Sequence, residues 1–136
     1  MPEDIADDED LARFLVQSNQ FDSVIVSPAA FMPSKKDHET SVFRHGREPR
    51  QQLWEIGRIA TGNRKLYGAA ILKASAVRAA LLDIVPDEPP DRHAVIRNWP
   101  WLENDPAMQK AQQKERAALL ASAAGAPILN MEDTGA

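Results

Sequence analysis

Hydrophobic positions along the chain change their spacing from segment to segment, and each spacing predicts a type of element. Near the N-terminus the apolar positions Leu11, Phe14 and Leu15 recur as they would on one side of a helix. Asp7 or Asp8 stands just before them, and an aspartate is a preferred residue at the N-terminal end of a helix. The first element is therefore predicted to be a short helix.

Five segments have the length and composition of strands, because they are short, apolar or β-branched, and bounded by turn residues. They are residues 24–26, 39–45, 66–72, 81–85 and 93–99. In the second segment a period of two places Ser41, Phe43 and His45 on one side and Thr40, Val42 and Arg44 on the other. The pattern leaves open whether Phe43 or Val42 faces the core.

Two longer segments carry the signals of main helices. Residues 49–60 begin with Pro49, which suits the first turn of a helix, and end before Gly62, which suits the left-handed position after a helix. Residues 106–124 begin at an Asp-Pro pair and end at Gly125. A shorter helix, capped by Ser75, is predicted over residues 76–80.

The C-terminal helix has few large apolar residues, which predicts loose docking on the domain or on a partner. Its predicted stripe consists of Met108, Ala111, Ala118 and Leu119. Together these elements predict one α+β domain over residues 1–136, with residues 1–7 and 126–136 as tails. The predicted sheet is small, mixed or antiparallel, with four or five strands, and two main helices pack on it.

Composition narrows the class of protein. Hydrophobic residues make up 43% of the 136 residues and charged residues 26%, which is ordinary for a folded domain. The absence of cysteine excludes disulfides, thiolate metal sites and a cysteine nucleophile. No apolar run reaches the roughly 20 residues that span a bilayer, and the start of the chain is acidic. We therefore expect a cytoplasmic protein, bacterial or viral, with no membrane association.

The net charge of −4 is unevenly distributed. Residues 1–22 hold seven acids and one base, and residues 83–105 hold six acids and two bases. Residues 35–65 hold eight bases and four acids, so this segment could bind nucleic acid although the whole chain is acidic. The alternative is that the acidic and basic segments neutralise one another in the fold.

An arginine-rich surface with an aromatic residue is the strongest binding signal in the basic segment. Arginines bind phosphate through two parallel hydrogen bonds, and aromatic rings stack on unpaired bases. The predicted members are Arg44, Arg47, Arg50, Arg58 and Arg64, together with His45 and Trp54. The alternative interpretation of these arginines is a solvated helix surface.

Trp99-Pro100-Trp101 is unusual in a chain with only three tryptophans. Tryptophan is common at the centre of protein interfaces, so Trp99 and Trp101, with Arg97 on the preceding strand, are candidate binding residues. The alternative is that this segment plugs the core between the last strand and the last helix.

Four residues could carry chemistry: Ser41, Arg44, His45 and His93. A serine nucleophile needs an adjacent base, and histidine supplies one near neutral pH, while arginine can hold an oxyanion. No Gly-x-Ser-x-Gly motif is present to mark a serine nucleophile. No paired metal-ligand spacing is present either, and neither a metal nor a cofactor is predicted.

Residues about 30–101 resemble a group of short, uncharacterised bacterial proteins. The resemblance is carried by Thr40–Arg44, Leu53–Gly57, Leu66–Ala69, Val85–Pro90 and His93–Ile96 with Trp99-Pro100. It implies a role in small mobile or defence-type operons and brings no activity.

The leading hypothesis is a small, non-enzymatic bacterial binding or accessory module. It would engage a protein partner, or a second copy of itself, through Trp101 and the last helix, or nucleic acid through residues 35–65. The alternative is a small nucleotide- or RNA-directed hydrolase or transferase that uses the histidines and arginines. An enzyme should bring His93, Arg44 and one further polar group into one cleft.

Overall fold

A computed structural model of the chain describes residues 4–45 and 50–130, apart from the side chain of Arg50. The described strands are β1 (Asp10–Leu15), β2 (Thr40–Arg44), β3 (Gly68–Lys73), β4 (Asp83–Pro86), β5 (His93–Arg97) and β6 (Ile128–Leu129). They form one antiparallel sheet in the order β4-β5-β2-β1-β3-β6. The described helices are α1 (Arg50–Thr61), α2 (Ala74–Ala79) and α3 (Pro106–Ala124).

The α+β class is confirmed, but the sheet has six strands rather than four or five. The additional strands come from segments for which a helix and a tail were predicted. β1 lies in the middle of the sheet between β2 and β3, where a helix was predicted. Leu11 and Leu15 face one side of the sheet, Ala12 and Phe14 face the other, and all four are buried. Because a central strand that is covered on both sides lacks the polar–apolar alternation of a surface strand, its pattern was mistaken for that of a helix.

Each side of the sheet packs against different helices. On the side that we call the α3 face, Leu11, Val42 and Ile96 pack with Val77 of α2 and Leu120 of α3. On the opposite side, which we call the α1 face, the sheet packs against α1 in a smaller cluster. Its buried members are Ala12, Phe14, Phe43, Leu53, Trp54, Leu66 and Ala69. Val42 and Phe43 are therefore both buried, on opposite faces.

Residues 24–26 do not form the predicted buried strand. Val24 is 66% exposed and Ile25 57% exposed, because the side chain of Asp22 accepts hydrogen bonds from both of their backbone N–H groups. This arrangement closes a turn. Val26 is buried and forms a single bridge with Phe21.

The two main helices agree with their predicted positions. α1 ends at Thr61, and Gly62 follows with a φ of 60°. At the start of α3, Asp105 accepts the N–H of Met108, and Pro106 takes the first turn. α3 ends at Gly125, which has a φ of 67°.

The buried side of α3 differs from the predicted stripe. The helix buries Gln113, Ala117, Leu120 and Ala121, whereas all four residues of the predicted stripe are exposed. Small alanines allow α3 to lie close to its neighbours, so the large apolar residues were a poor guide to its packed side.

The predicted tails are packed where the structure describes them. Ile5 is buried, and its carbonyl oxygen accepts a hydrogen bond from Arg78. Near the C-terminus, β6 pairs with β3, and Gly68 of β3 lies against Ile128 where a Cβ atom would clash with the carbonyl oxygen. The predicted first turn of the first main helix at Pro49, residues 1–3 and residues 131–136 lie outside the described residues. Over the described ranges, no helix is both long and apolar enough to cross a membrane.

Candidate active site

Strand register brings Ser41 and His93 together on the α1 face. In the antiparallel pair of β2 and β5, Ser41 lies opposite Val95 and Phe43 lies opposite His93. Ser41 and His93 are therefore diagonal neighbours whose side chains project from the same side of the sheet. The distance from Ser41 Oγ to His93 Nε2 is 2.5 Å.

Asp87 holds the other ring nitrogen of His93. His93 Nδ1 lies 3.0 Å from the backbone oxygen of Asp87 and 3.3 Å from its carboxylate oxygen Oδ2. The backbone N–H of Asp87 donates in return to the carbonyl oxygen of His93, at 2.9 Å. An imidazole that donates from Nδ1 to these oxygens presents the lone pair of Nε2 to the hydroxyl of Ser41. The order of groups is carboxylate, imidazole and hydroxyl, as in serine hydrolase triads.

A mostly apolar cavity of about 380 Å³ opens beside this pair. It lies between the sheet and α1, and it is lined by Ser41, Phe43, Ile56, Ile59, Ala60, Pro90, Asp91 and His93. Its volume is within the range of small-molecule sites. Ile59 is 80% exposed, so this side of the cavity is open to solvent. The cavity could hold a small apolar group next to the Ser41 hydroxyl.

A smaller cleft of about 70 Å³, which also has Ser41 in its lining, contains two arginines, Arg13 and Arg64. Arg13 donates from Nη1 to the carbonyl oxygen of Ser41 at 2.9 Å and from Nε to that of Ala30 at 2.7 Å. Burial, together with the nearby charge of Arg64, lowers the pKa of Arg13 to about 10. Arg13 therefore stays positively charged at neutral pH and fixes the backbone that carries Ser41.

The other two predicted catalytic residues are placed differently. Arg44 points to the α3 face, opposite to Ser41, and its Nε and Nη2 atoms donate to the carboxylate of Glu9. His45 follows β2, and its backbone N–H donates to the carbonyl oxygen of Asp10 at 2.9 Å. The expected cleft therefore contains His93 and Ser41 but not Arg44.

The predicted arginine surface lacks its aromatic member. Trp54 is only 3% exposed and packs in the α1-face cluster, so its ring faces protein rather than a nucleic-acid base. Arg58 is exposed on α1. Arg47 and the side chain of Arg50 lie outside the described residues. Arg97 is exposed on β5, with its Nε atom 3.4 Å from a carboxylate oxygen of Asp83.

The two tryptophans of the Trp-Pro-Trp segment have different environments. Trp99 is buried, and its indole N–H donates to the carbonyl oxygen of Ile96 at 3.1 Å. Trp101 is 54% exposed, and its ring centroid lies 4.3 Å from that of His38. Trp99 is therefore part of the core, as the core-plug alternative predicts, whereas Trp101 is exposed and its role as an anchor stays a prediction.

Sequence reasoning missed Asp87 and Arg13. Asp87 comes two residues after the predicted strand 81–85, in an acidic, proline-rich segment that leads to the next predicted strand at His93. Arg13 is the only base in residues 1–22 and stands among apolar residues, which was a usable signal of a buried cation. Within residues 4–45 and 50–130, no group of three or more acidic, histidine or cysteine side chains is placed to hold a metal ion.

No family model, no curated protein and no solved structure matches the chain. The resemblance of residues 30–101 to short bacterial proteins stays a prediction. Function must therefore be inferred from the geometry of the residues themselves.

Proposed function

We propose that the protein is a small serine hydrolase that cleaves carboxylic esters with a compact apolar acyl group. The observation that carries the proposal is the 2.5 Å contact between Ser41 Oγ and His93 Nε2 at the wall of the apolar cavity. Ser41 is the nucleophile, His93 the general base, and Asp87 orients the imidazole.

The reaction begins when the ester places its acyl group in the cavity and its carbonyl carbon near Ser41. The hydroxyl proton passes to His93 Nε2 as Ser41 Oγ attacks, and the carbonyl oxygen becomes an oxyanion. Arg64, which lines the adjoining cleft, stabilises this negative charge. The imidazolium then protonates the departing alkoxide, which leaves an acyl group on Ser41.

Hydrolysis of the acyl group repeats the same proton transfers with water. His93 takes a proton from the attacking water, and the second tetrahedral intermediate expels the carboxylic acid. The proton on His93 returns to Ser41 Oγ, which restores the starting state. Each step requires the imidazole to keep the orientation that Asp87 gives it.

The test uses the purified chain with 4-nitrophenyl esters of increasing acyl length and with a fluorophosphonate probe. We expect turnover of short esters, a mass adduct on Ser41, and loss of both in Ser41→Ala. Activity should fall by about 10³-fold or more in His93→Gln, because the nucleophile loses its base.

A matched control is Ser122→Ala, which removes an exposed serine of α3 on the opposite side of the sheet. Ser122→Ala should keep both activity and labelling. Circular dichroism should show that all variants are folded. Ester turnover equal in the wild type and Ser41→Ala, or labelling of another serine, would refute the assignment.

We also propose that the protein engages a protein partner through Trp101 and α3. This second function is favoured by the exposure of Trp101 beside a groove of about 420 Å³, which α3 helps to form. Large exposed aromatic residues next to a groove are typical of interface anchors.

A pull-down of wild type and Trp101→Ser at physiological salt tests this second function. A stoichiometric protein that is lost from Trp101→Ser would support it. Recovery of nucleic acid that dissociates as salt rises would instead favour the basic segment 35–65, because phosphate contacts weaken with salt.

A further inference from the structure

The groove beside Trp101, which we call the Trp101 groove, lies on the α3 side of the molecule, away from the Ser41–His93 pair. One wall comes from the loop before β2 and the other from the first half of α3. Its lining residues are Met32, Pro33, Ser34, Lys35, His38, Trp101, Gln109, Lys110 and Gln113. Its volume of about 420 Å³ is similar to that of the cavity beside Ser41.

The helix wall of the Trp101 groove is held by side chains that also line it. Gln109 accepts the backbone N–H of Leu102 at 2.8 Å, and Gln113 donates to the carbonyl oxygen of Pro100 at 2.9 Å. These two bonds tie both neighbours of Trp101 to α3. The position of the Trp101 backbone is therefore set before any ligand binds, which lowers the entropic cost of binding.

The loop wall is held in shape by hydrogen bonds within its own backbone. The N–H of Ser34 donates to the carbonyl oxygen of Glu39 at 2.9 Å, and the N–H of His38 donates to that of Ser34 at 2.8 Å. His38 has a φ of 61° and packs its ring against Trp101. This contact between two tilted rings connects the loop wall to the segment that α3 holds.

The lining combines apolar surface with positive charge. Met32, Pro33 and Trp101 provide the apolar part, and each wall carries one exposed lysine, Lys35 on the loop and Lys110 on the helix. Among the described residues that line the groove, none is acidic. This local excess of positive charge contrasts with the net charge of −4 of the chain.

We infer that the Trp101 groove binds a short acidic peptide segment of a partner protein, with one apolar side chain inserted against Met32 and Trp101. Carboxylates on either side of that apolar residue would pair with Lys35 and Lys110. The inference rests on the second proposed function, protein binding, and is independent of the hydrolase. Positive charge on both walls with an apolar centre between them fits this peptide chemistry better than a basic or purely apolar segment.

The test is a selection of random dodecapeptides displayed on phage against the immobilised full chain. We expect enrichment of peptides in which acidic residues flank one apolar residue. A synthetic selected peptide should bind less tightly as salt rises, because its contacts to exposed lysines are screened.

Variants locate the binding surface. Trp101→Ser, and separately the double variant Lys35→Glu with Lys110→Glu, should weaken binding of the selected peptide by about tenfold or more. The matched control is Lys114→Glu, which reverses an exposed charge on the same helix outside the groove lining and should leave binding unchanged. Ester hydrolysis measured on the same variants should not change.

Several results would overturn the inference. They are no enrichment over a blank surface, enrichment of basic peptides, equal weakening by Lys114→Glu, and a selected peptide retained by Trp101→Ser. Concentration-dependent dimerisation that Trp101→Ser abolishes would assign the groove to a second copy instead. If the pull-down yields a Trp101-dependent partner but the selection fails, the binding function stands and only its acidic-peptide chemistry is refuted.

Discussion

The Ser41–His93 pair and the Trp101 groove lie on different sides of the molecule and are built from different elements. Ser41 and His93 project from neighbouring strands of the sheet, where register sets the distance between their atoms. Trp101 lies after the last long strand, between a loop and a helix, and is held by side-chain hydrogen bonds. Strands suit the precise geometry that proton transfer needs, whereas a loop and a helix provide area and charge for a flexible ligand.

The largest expected effect separates the buried tryptophan from the exposed one. Trp54→Ala should lower the free energy of unfolding by about 3–5 kcal/mol, because it leaves a cavity in the smaller α1-face cluster. Trp101→Ala should change it by about 0.5 kcal/mol or less, as is usual for an exposed side chain. Urea denaturation checks both values, and equal losses would contradict the division between core and binding surface.

A substitution in β3 that displaces the edge strand β6 should leave the Ser41–His93 site intact. Gly68→Ala would place a Cβ against the carbonyl oxygen of Ile128, so β6 must move. We expect the free energy of unfolding to fall by about 1–3 kcal/mol. Hydrogen exchange at the amide of Asn130, which bonds to Tyr67, should speed up. Ester hydrolysis should persist, since β1 and β3 separate β6 from β2.

Gly62→Ala is the control for Gly68→Ala. At Gly62 there is open space around the added methyl group, so only the positive φ opposes the substitution. The free energy of unfolding should fall by about 1–2 kcal/mol. Exchange at Asn130 should stay slow in this variant. Equal acceleration in both variants would show that β6 responds to overall stability rather than to the local clash.

Removal of the cap of α3 should affect the Trp101 groove more than the catalytic pair. Asp105→Ala loses the hydrogen bond to the N–H of Met108, at a cost of about 1 kcal/mol. Since Gln109 and Lys110 lie in the first turns of α3, binding of the selected peptide should weaken while ester hydrolysis is kept. The exposed neighbour Glu103 provides the control, Glu103→Ala, and a loss of hydrolysis in Asp105→Ala alone would contradict the independence of the two sites.

The smallest expected effect concerns Asp22 and depends on pH. The N–H groups of Val24 and Ile25 bond to its carboxylate and lower its pKa. Its stabilising contribution is therefore present above the pKa of the unfolded chain and is lost as pH falls through the lower folded-state pKa. Asp22→Ala should lower the Tm slightly at neutral pH and not at strongly acidic pH, whereas Ser23→Ala should show no such pH dependence.

Elements with chemical signals at their own ends were predictable from the sequence. α3 starts at Asp105-Pro106 and ends at Gly125, and α1 ends before Gly62, as predicted. These signals act through the backbone within one helical turn, so they need no information from the rest of the chain. β2 and β5 were also identified, and with them Ser41 and His93 as residues capable of chemistry.

Tertiary structure decided everything that depends on partners distant in sequence. β1 became a strand because β2 and β3 pair with it on both sides, although its apolar spacing also suits a helix. Arg44 faces Glu9 rather than Ser41 because successive residues of a strand point to opposite faces and the two residues are three positions apart.

The candidate site shows the same division between sequence and structure. Sequence alone determined that Ser41 and His93 lie in strands, but they are 52 residues apart, and only the register of β2 against β5 brings their side chains into contact. Asp87 joins them because the turn between β4 and β5 returns the chain to His93. Local patterns determine which residues are present in an element, whereas pairing between distant strands determines which of them meet.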